Sequence, residues 1–294
     1  MYSKAKTYLI LFAGVFALST SAIFVKLAKA PSSVVAFYRL LLAALILLPF
    51  LVFSQKRRTE VRQLQCRQWL QIVTAGTLLA LHYVLWFESL GYTSIASSTV
   101  LVCLQPLFSL ALERFVLRKR IKPTAMIGCM IALAGCILIG YGDFQISGKH
   151  LLGDILALIA AGVISLYYFV GEKIRKAVSA VTYSTLGYSS SAAVLLAYIL
   201  IRKDPLVGYP MQTWLVLAAL AVISTIGGQF IFNLLLKKVP ASAVTMSILG
   251  EPIGTCLLAY LIFHEGIAMQ QFLGMMVILA GMVVYFLPER KSES

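Results

Sequence analysis

The sequence predicts an all-α membrane protein with ten transmembrane helices in two inverted five-helix repeats. Hydrophobic residues fill 60% of the 294 positions, charged residues fill 12%, and the mean hydropathy is +0.90. A soluble domain carries about 25% charged residues. Apolar runs of about 20 residues recur along the chain, which is the length a helix needs to cross a hydrocarbon core about 30 Å thick. The second half of the chain also repeats features of the first half, as described below.

Ten apolar runs define the predicted spans, and the joints between them are short. The longest polar stretch is "SQKRRTEVRQLQCRQ" at 54–68, which leaves no room for a soluble domain. The predicted spans are 7–28, 32–53, 69–90, 94–116, 123–142, 151–172, 180–201, 212–236, 240–263 and 269–288.

The placement of the basic residues predicts the orientation. The formal net charge is +14, and 19 of the 25 Lys and Arg residues fall on one side of the membrane if the N-terminus is cytoplasmic. This is the positive-inside pattern, and it explains the basic composition without a nucleic-acid partner. We therefore expect a multi-pass protein of the cell (plasma or inner) membrane with both termini cytoplasmic. The five cysteines form no CxxC pair and are interpreted as packing residues, with no metal site.

The second half matches the first at an offset of 146 residues. "VLVCLQPLFSL" at 100–110 aligns with "MSILGEPIGTC" at 246–256, which places Gln105-Pro106 on Glu251-Pro252. Each half holds five predicted helices, and because five is odd, the second half enters from the opposite side of the membrane. The predicted repeats are 1–145 and 146–294. Inverted repeats are typical of secondary transporters, whose substrate site lies near the midplane where interrupted helices meet.

The same segments carry a resemblance to a known family. "QPLFSLALERFVLRKRIKPTAMIGCMIALAGCIL" (105–138), "EPIGTCLLAYLIFHEGIAMQQFLGMMVILAGMVV" (251–284) and "FYRLLLAALILLP" (37–49) resemble the drug/metabolite transporter superfamily, in particular its EamA-type members. The resemblance covers nearly the whole chain. It implies a ten-helix transporter in which the first and sixth helices line a central cavity.

Glu251 is the sharpest site candidate, because a carboxylate followed by a proline is costly inside a membrane span. In the functional interpretation, Glu251 lines a cavity and either carries a proton or pairs with a cationic substrate group. In the structural interpretation, it caps backbone groups freed by Pro252. Gln105 is its counterpart in the first half, and a neutral amide cannot carry a proton. Proton coupling, if present, therefore depends on the second half.

Other polar and aromatic residues in the spans are candidates for substrate binding. His82 and Trp86 share a helix face, with Tyr83 adjacent, and His82 is a second candidate for proton handling. Gln229 and Asn233 share a face of the eighth span. Each polar group also has a structural interpretation as a hydrogen bond between helices. Aromatic side chains are more often packing or interface residues, and among these Tyr168 is retained as a binding candidate.

Arg39 and Glu88 lie near the predicted outer ends of their spans. One hypothesis is an ion-paired outer gate, and the alternative is that each charge extends independently to the lipid headgroups, with a buried structural partner favoured for Arg39. A further open alternative concerns four glycines in the fifth and tenth spans, which allow close helix contact either within one chain or at a homodimer seam. They are Gly128, Gly135, Gly274 and Gly281.

The function predicted from these features is secondary transport by alternating access, with export of small metabolites such as amino acids or amphiphilic, drug-like compounds. No G-x-x-x-x-G-K-[ST] motif occurs, so ATP is not the expected energy source, and no cofactor is expected. A channel or a lipid scramblase is the alternative. An intramembrane enzyme is disfavoured because no HExxH, no G-x-S-x-G and no paired aspartates occur in the spans.

Overall fold

The computed structural model describes residues 4–93, 95–140, 149–264 and 266–287, and all regular structure in these ranges is helical. The predicted all-α fold class is therefore confirmed. The α-helices and one π-helical segment are, in chain order, α1 (Lys4–Leu27), α2 (Ser32–Val52), α3 (Gln55–Arg62), α4 (Cys66–Leu90), α5 (Ile95–Val102), α6 (Gln105–Phe115), α7 (Pro123–Gly140), α8 (Lys149–Ile174), α9 (Ala180–Arg202), α10 (Met211–Ala219), the π-helix Leu220–Phe230, α11 (Ile231–Leu235), α12 (Ala241–Ile248), α13 (Glu251–Phe263) and α14 (Met269–Phe286).

These elements form ten membrane spans. Within the described ranges, nine helical stretches are long and apolar enough to cross a membrane, and Pro123–Ile139 is a shorter apolar helix. Three spans are composite: α5 with α6 is the fourth, α10 to α11 with the π-helix is the eighth, and α12 with α13 is the ninth. Residues 141–148 and the predicted end of the tenth span at residue 288 lie outside the described residues.

One helix was not expected from the sequence. The polar stretch 54–68 contains α3, and its Glu60 carboxylate accepts hydrogen bonds from Ser179 N (2.6 Å) and from Thr182 Oγ1 (2.5 Å). A carboxylate at this position satisfies the free amides at the start of α9. The loop that carries α3 therefore lies at the same end of the bundle as the start of α9.

The two ends of the bundle differ in charge. We call the end with the loops 53–65, 116–122, 175–179 and 236–240 the basic face, because 12 Lys and Arg residues lie in these loops, at positions 56, 57, 58, 62, 118, 119, 120, 122, 175, 176, 237 and 238. We call the other end the opposite face. At the opposite face, Ser33 at the start of α2 donates to Asp204 in the loop after α9 (2.6 Å), and Thr93 in the loop after α4 donates to Asp154 of α8 (2.7 Å).

The fourth and ninth spans are broken at matching places. α6 begins at Gln105 with Pro106 in its first turn, and α13 begins at Glu251 with Pro252 in its first turn. Proline has no N–H, so it fits the first turn of a helix, where that N–H has no partner, and it ends the helix before it. The two positions that the repeat offset relates in the sequence are therefore also the two positions where the spans are broken in the structure.

Packing between the spans follows the same pseudo-twofold relation. α4 packs against α8, and its counterpart, the eighth span, packs against α1. α2 packs against its own counterpart α9, and α7 packs against its counterpart α14 in the most extensive contact of the bundle. Two five-span repeats of opposite orientation account for this pattern. The predicted division between residues 145 and 146 lies outside the described residues and stays a prediction.

The four glycines of the fifth and tenth spans lie in the contact between α7 and α14. A Cβ on Gly128 would stand 2.6 Å from the Gly281 carbonyl oxygen, and a Cβ on Gly135 would stand 2.7 Å from the Gly274 carbonyl oxygen. Only glycine permits the two backbones to approach so closely. Of the two alternatives left open by the sequence, the structure therefore shows packing within one chain.

Replacing Gly281 by Ala is expected to destabilise this contact. The new Cβ would lie 2.4 Å from Ala132 N, so the two helices must separate, at a cost of about 1–3 kcal/mol for overpacking. Thermal unfolding of the purified protein in detergent measures the effect. Gly162→Ala is the matched control, because its Cβ would meet only the Phe108 ring at 3.5 Å. Equal unfolding temperatures for the two variants would contradict the close-packing explanation.

Candidate functional site

A cavity of about 370 Å³ lies where the two broken spans meet. This volume is within the range of small-molecule sites, roughly 300–1,000 Å³. Most of its wall comes from the halves of the spans that are nearer the opposite face. Seven of the eight residues predicted to bind substrate line it: His82, Tyr83, Trp86, Gln105, Tyr168, Gln229 and Glu251.

Glu251 and Gln105 occupy equivalent positions in the cavity wall. Ser19 Oγ donates to the Glu251 carbonyl oxygen (3.1 Å), and Ser165 Oγ donates to the Gln105 carbonyl oxygen (2.7 Å). The two serines are themselves separated by 146 residues, the offset of the repeat. They hold the backbone of each break, and the sequence analysis missed this role for Ser19, although the offset applied to Ser165 would have found it.

The Glu251 side chain is available to a ligand. It is partly exposed within the cavity, and in the described ranges no other side chain donates a hydrogen bond to its carboxyl group. The structural interpretation of Glu251 as a cap for the broken backbone is not what the contacts show, because Ser19 contacts its main-chain carbonyl. An ionisable group left without a hydrogen bond at a cavity wall is typical of a binding or proton-carrying residue.

Arg39 is almost completely buried in the same wall, with 1% of its surface exposed. Its Nη1 donates to Ser21 Oγ (3.1 Å), its Nε donates to Thr225 Oγ1 (3.3 Å), and its guanidinium carbon lies 4.9 Å from the centre of the Tyr83 ring. Thr225 belongs to the π-helix, where its hydroxyl also donates to the carbonyl of Leu220. Such wide turns often occur at functional sites.

The predicted ion pair between Arg39 and Glu88 is not formed. Glu88 instead pairs with Arg202 (3.4 Å) and accepts a hydrogen bond from Tyr198 in a separate pocket at the opposite face. Similar depth along two helices does not place two side chains on facing sides. In this structure Arg39 belongs to the cavity and Glu88 does not.

An aromatic wall covers one side of the cavity. His82 and Trp86 stack with ring centres 6.1 Å apart and an angle of 18° between the planes. His82 Nδ1 donates to the Ala160 carbonyl oxygen (3.0 Å), because a carbonyl can only accept. This bond joins α4 to α8, which is the structural interpretation of His82. Its role in proton handling stays a prediction.

The cavity floor, on the side of the basic face, is a hydrogen bond from Tyr168 OH to Gln229 Oε1 (3.2 Å). Asn233 lies one turn below it and does not line the cavity, contrary to the position expected from the sequence. Its Oδ1 accepts from Tyr167 OH (2.8 Å), and its Nδ2 donates to Ser184 Oγ (3.0 Å) and to Tyr188 OH (3.2 Å). We call Tyr167, Ser184, Tyr188 and Asn233 the closing layer.

Charged groups lie beneath the closing layer. Arg175 Nε donates to the Asn233 carbonyl oxygen (2.8 Å), and burial lowers the pKa of Arg175. Glu172 accepts from Ala241 N (2.9 Å) and pairs with Lys119 (3.4 Å). Glu113 accepts from Ser242 N (3.2 Å). These two carboxylates hold the start of α12, and the bundle is packed shut on the basic side of the cavity.

Among the described residues, no cluster of three or more His, Cys, Asp or Glu side chains has the geometry to hold a metal ion. All five cysteines are unpaired, and two of them, Cys103 and Cys136, are buried in the cavity wall.

A helical bundle of ten spans, with two broken helices meeting at a cavity of small-molecule size, has the architecture of a membrane transporter. The comparisons with known proteins agree. The EamA-like transporter family matches residues 5–141 and 151–287, nearly the whole of both halves. The chain belongs to this family. It is therefore a multi-pass transporter and not an enzyme.

Individual relatives of the chain are also named as transporters. "Uncharacterized transporter YwfM" of Bacillus subtilis (strain 168) is 26% identical over 243 residues, covering 79% of this chain and 79% of the relative. A protein of Rickettsia prowazekii (strain Madrid E) named "S-adenosylmethionine uptake transporter" is 24% identical over 267 residues, covering 88% and 84%. A solved crystal structure with 18% sequence identity has a TM-score of 0.83 over 99% of this chain and 100% of that chain, which shows a shared fold.

Proposed function

We propose that this protein is a secondary transporter of the cell membrane that exports a small organic metabolite by alternating access. The observation that carries the proposal is the cavity at the paired breaks, which is closed toward the basic face by the closing layer and by the held start of α12. A site that is closed on one side, between repeats of opposite orientation, is what alternating access requires. The basic face is the cytoplasmic one by the positive-inside rule, so this conformation is closed to the cytoplasm.

Proton coupling at Glu251 is part of the proposal. Arg39 is close enough to Glu251 for their charges to interact, and among the described residues that line the cavity Glu251 is the only Asp or Glu. A carboxyl group at this position can take up a proton in one conformation and release it in the other. Gln105 cannot do this, so the two halves have different chemistry although their backbones are equivalent.

Counterflow in proteoliposomes tests the proposal. Vesicles are preloaded with single members of a panel of small metabolites, and uptake of the same labelled compound is measured with and without a pH gradient. A carrier gives transient accumulation driven by the preloaded compound. Flux without counterflow indicates a channel, and movement of labelled phospholipid between the leaflets indicates a scramblase. Transport under a pH gradient of each sign shows whether the substrate moves with the protons or against them, and so whether a proton gradient drives uptake or export. The name of the Rickettsia relative, an uptake transporter, does not decide this for the present chain.

The proposed orientation predicts which cysteines can be labelled from outside the cell. Cys66 is exposed at the basic face, whereas Val207 is exposed in the loop of the opposite face. In intact cells, a membrane-impermeant maleimide should label the Val207→Cys variant and spare native Cys66. Permeabilised cells should show labelling at both positions. Labelling of Cys66 in intact cells, with Val207→Cys protected, would reverse the assignment of the two faces.

A further inference from the structure

Three buried hydrogen-bond donors in the cavity wall have no acceptor among the residues that the structure describes. They are Arg39 Nη2, Trp86 Nε1 and Gln229 Nε2, and each belongs to a residue that lines the cavity. A buried donor without a partner is rare and costly, so each one needs a physical explanation. All three are N–H donors. The missing partner is therefore a group rich in acceptor oxygens.

The charges of the wall narrow the choice of partner. In the part of the chain that the structure describes, Arg39 is the only Lys or Arg that lines the cavity, and Glu251 is the only Asp or Glu. In the state with Glu251 protonated, which proton coupling requires in one conformation, the single guanidinium of Arg39 balances one negative charge of the ligand. A dianionic phosphate would bring a second negative charge next to Glu251, with no second Lys or Arg in the wall to compensate it. A carboxylate matches both the charge and the planar fork of the guanidinium.

The present bonds of Arg39 do not compete strongly with such a ligand. They are made to two neutral hydroxyl groups at 3.1 and 3.3 Å, whereas charge-assisted bonds to a carboxylate are shorter and roughly twice as strong. The Tyr83 ring supports the guanidinium from one side, and Nη2 makes no hydrogen bond to any described residue. An apolar ligand body finds its surface on the stacked rings of His82 and Trp86.

We propose that Arg39 is the receptor for a carboxylate of the transported molecule, so the substrate is an organic monocarboxylate with no second negative charge. This inference rests on the proposed transport function and names the substrate class for the same cavity. Arg39 then has a specificity-determining role, which differs from both the outer gate and the purely structural partner considered from the sequence.

The wild-type protein provides the first test. Its thermal unfolding in detergent is measured with a panel of small amino and hydroxy monocarboxylic acids, each matched to its own methyl ester and primary amide. The acids that bind should stabilise the protein at concentrations at least about tenfold lower than their esters or amides, because a charge-assisted bond is lost in the derivatives. Equal stabilisation by acid and ester, or stabilisation by none of the acids, overturns the inference.

Variants provide the second test, with counterflow inhibition as the measurement. Arg39→Gln should reduce the preference for acid over ester to near one, and Arg39→Lys should keep part of it because the charge remains. Arg202→Gln is the matched control, since Arg202 pairs with Glu88 outside the cavity. A folded Arg39→Gln protein that still prefers acids overturns the inference. If this variant does not fold, the comparison of acids and esters on the wild type decides.

The two proposals fail in different ways. Selective stabilisation by acids without counterflow would support Arg39 as the carboxylate receptor and contradict the proposed transport function. Counterflow that is equal for acids and esters would support the transport function and contradict the role of Arg39 as a carboxylate receptor.

Discussion

Glu251→Gln is expected to abolish proton-driven transport while the protein still folds, inserts and exchanges substrate. Glutamine has nearly the same size as glutamate but stays neutral, so no proton can be carried between the two sides. Exchange of substrate down its own gradient needs no net proton movement and should persist. Because the Glu251 carbonyl, not its carboxyl group, is held by Ser19, the break in the ninth span should survive the substitution. The measurements are vesicle transport under an imposed pH gradient and equilibrium exchange.

Glu88→Gln is the matched control for this experiment. Glu88 lies at the opposite face with Tyr198 and Arg202, outside the cavity. Its variant should keep gradient-driven transport near the wild-type rate. Gradient-driven transport that continues in Glu251→Gln would remove the coupling role of this residue, and His82 would become the next candidate.

The double variant Glu113→Gln and Glu172→Gln is expected to open the basic face. The two carboxylates accept from the first amides of α12, and Glu172 also pairs with Lys119 across the repeats. A neutral amide accepts a weaker hydrogen bond than a carboxylate, by about 1 kcal/mol per bond, so the two substitutions destabilise the closed state alone by about 2 kcal/mol. The open population should therefore rise by about tenfold or more.

A reporter cysteine measures this opening. Thr245 is completely buried one turn into α12, so a Thr245→Cys variant is modified only when the basic face opens. Because native Cys66 is exposed on the same face, the background carries Cys66→Ser, and in inside-out vesicles the rate of maleimide labelling should then rise about tenfold in the double variant. Glu60→Gln is the matched control, because Glu60 holds the start of α9 on the same face without contacting α12. Equal labelling rates in the double variant and in the control would contradict a gating role for the two carboxylates.

The sequence was sufficient for the spans, the breaks and the pairing of Gln105 with Glu251. Each follows from local properties: a run long enough to cross the hydrocarbon core, a proline that cannot continue a helix, and an offset that repeats. These properties do not depend on which helices become neighbours. The sequence therefore also brought most of the cavity-lining candidates together correctly, since they lie on the spans that flank the breaks.

The predictions that depended on the direction in which a side chain leaves its helix were less reliable. Arg39 and Glu88 have similar depth, yet Arg39 turns to Ser21 and Thr225, and Glu88 turns to Arg202. Asn233 was placed with Gln229 because a helix repeats every 3.6 residues. In the structure it lies a turn below the floor, in the closing layer.

The sequence by itself determined that this protein is a ten-span membrane bundle with a polar break in each half. The tertiary structure alone decided which end of the cavity is closed, that Arg39 faces the cavity with an unpaired N–H group, and that the glycines join α7 to α14 within one chain. The physical reason is that apolar length and helix breaking act along the chain. Partners for buried polar groups come from helices distant in sequence. Because a wide apolar surface does not fix the rotation of a helix about its own axis, these polar contacts decide it in the folded protein.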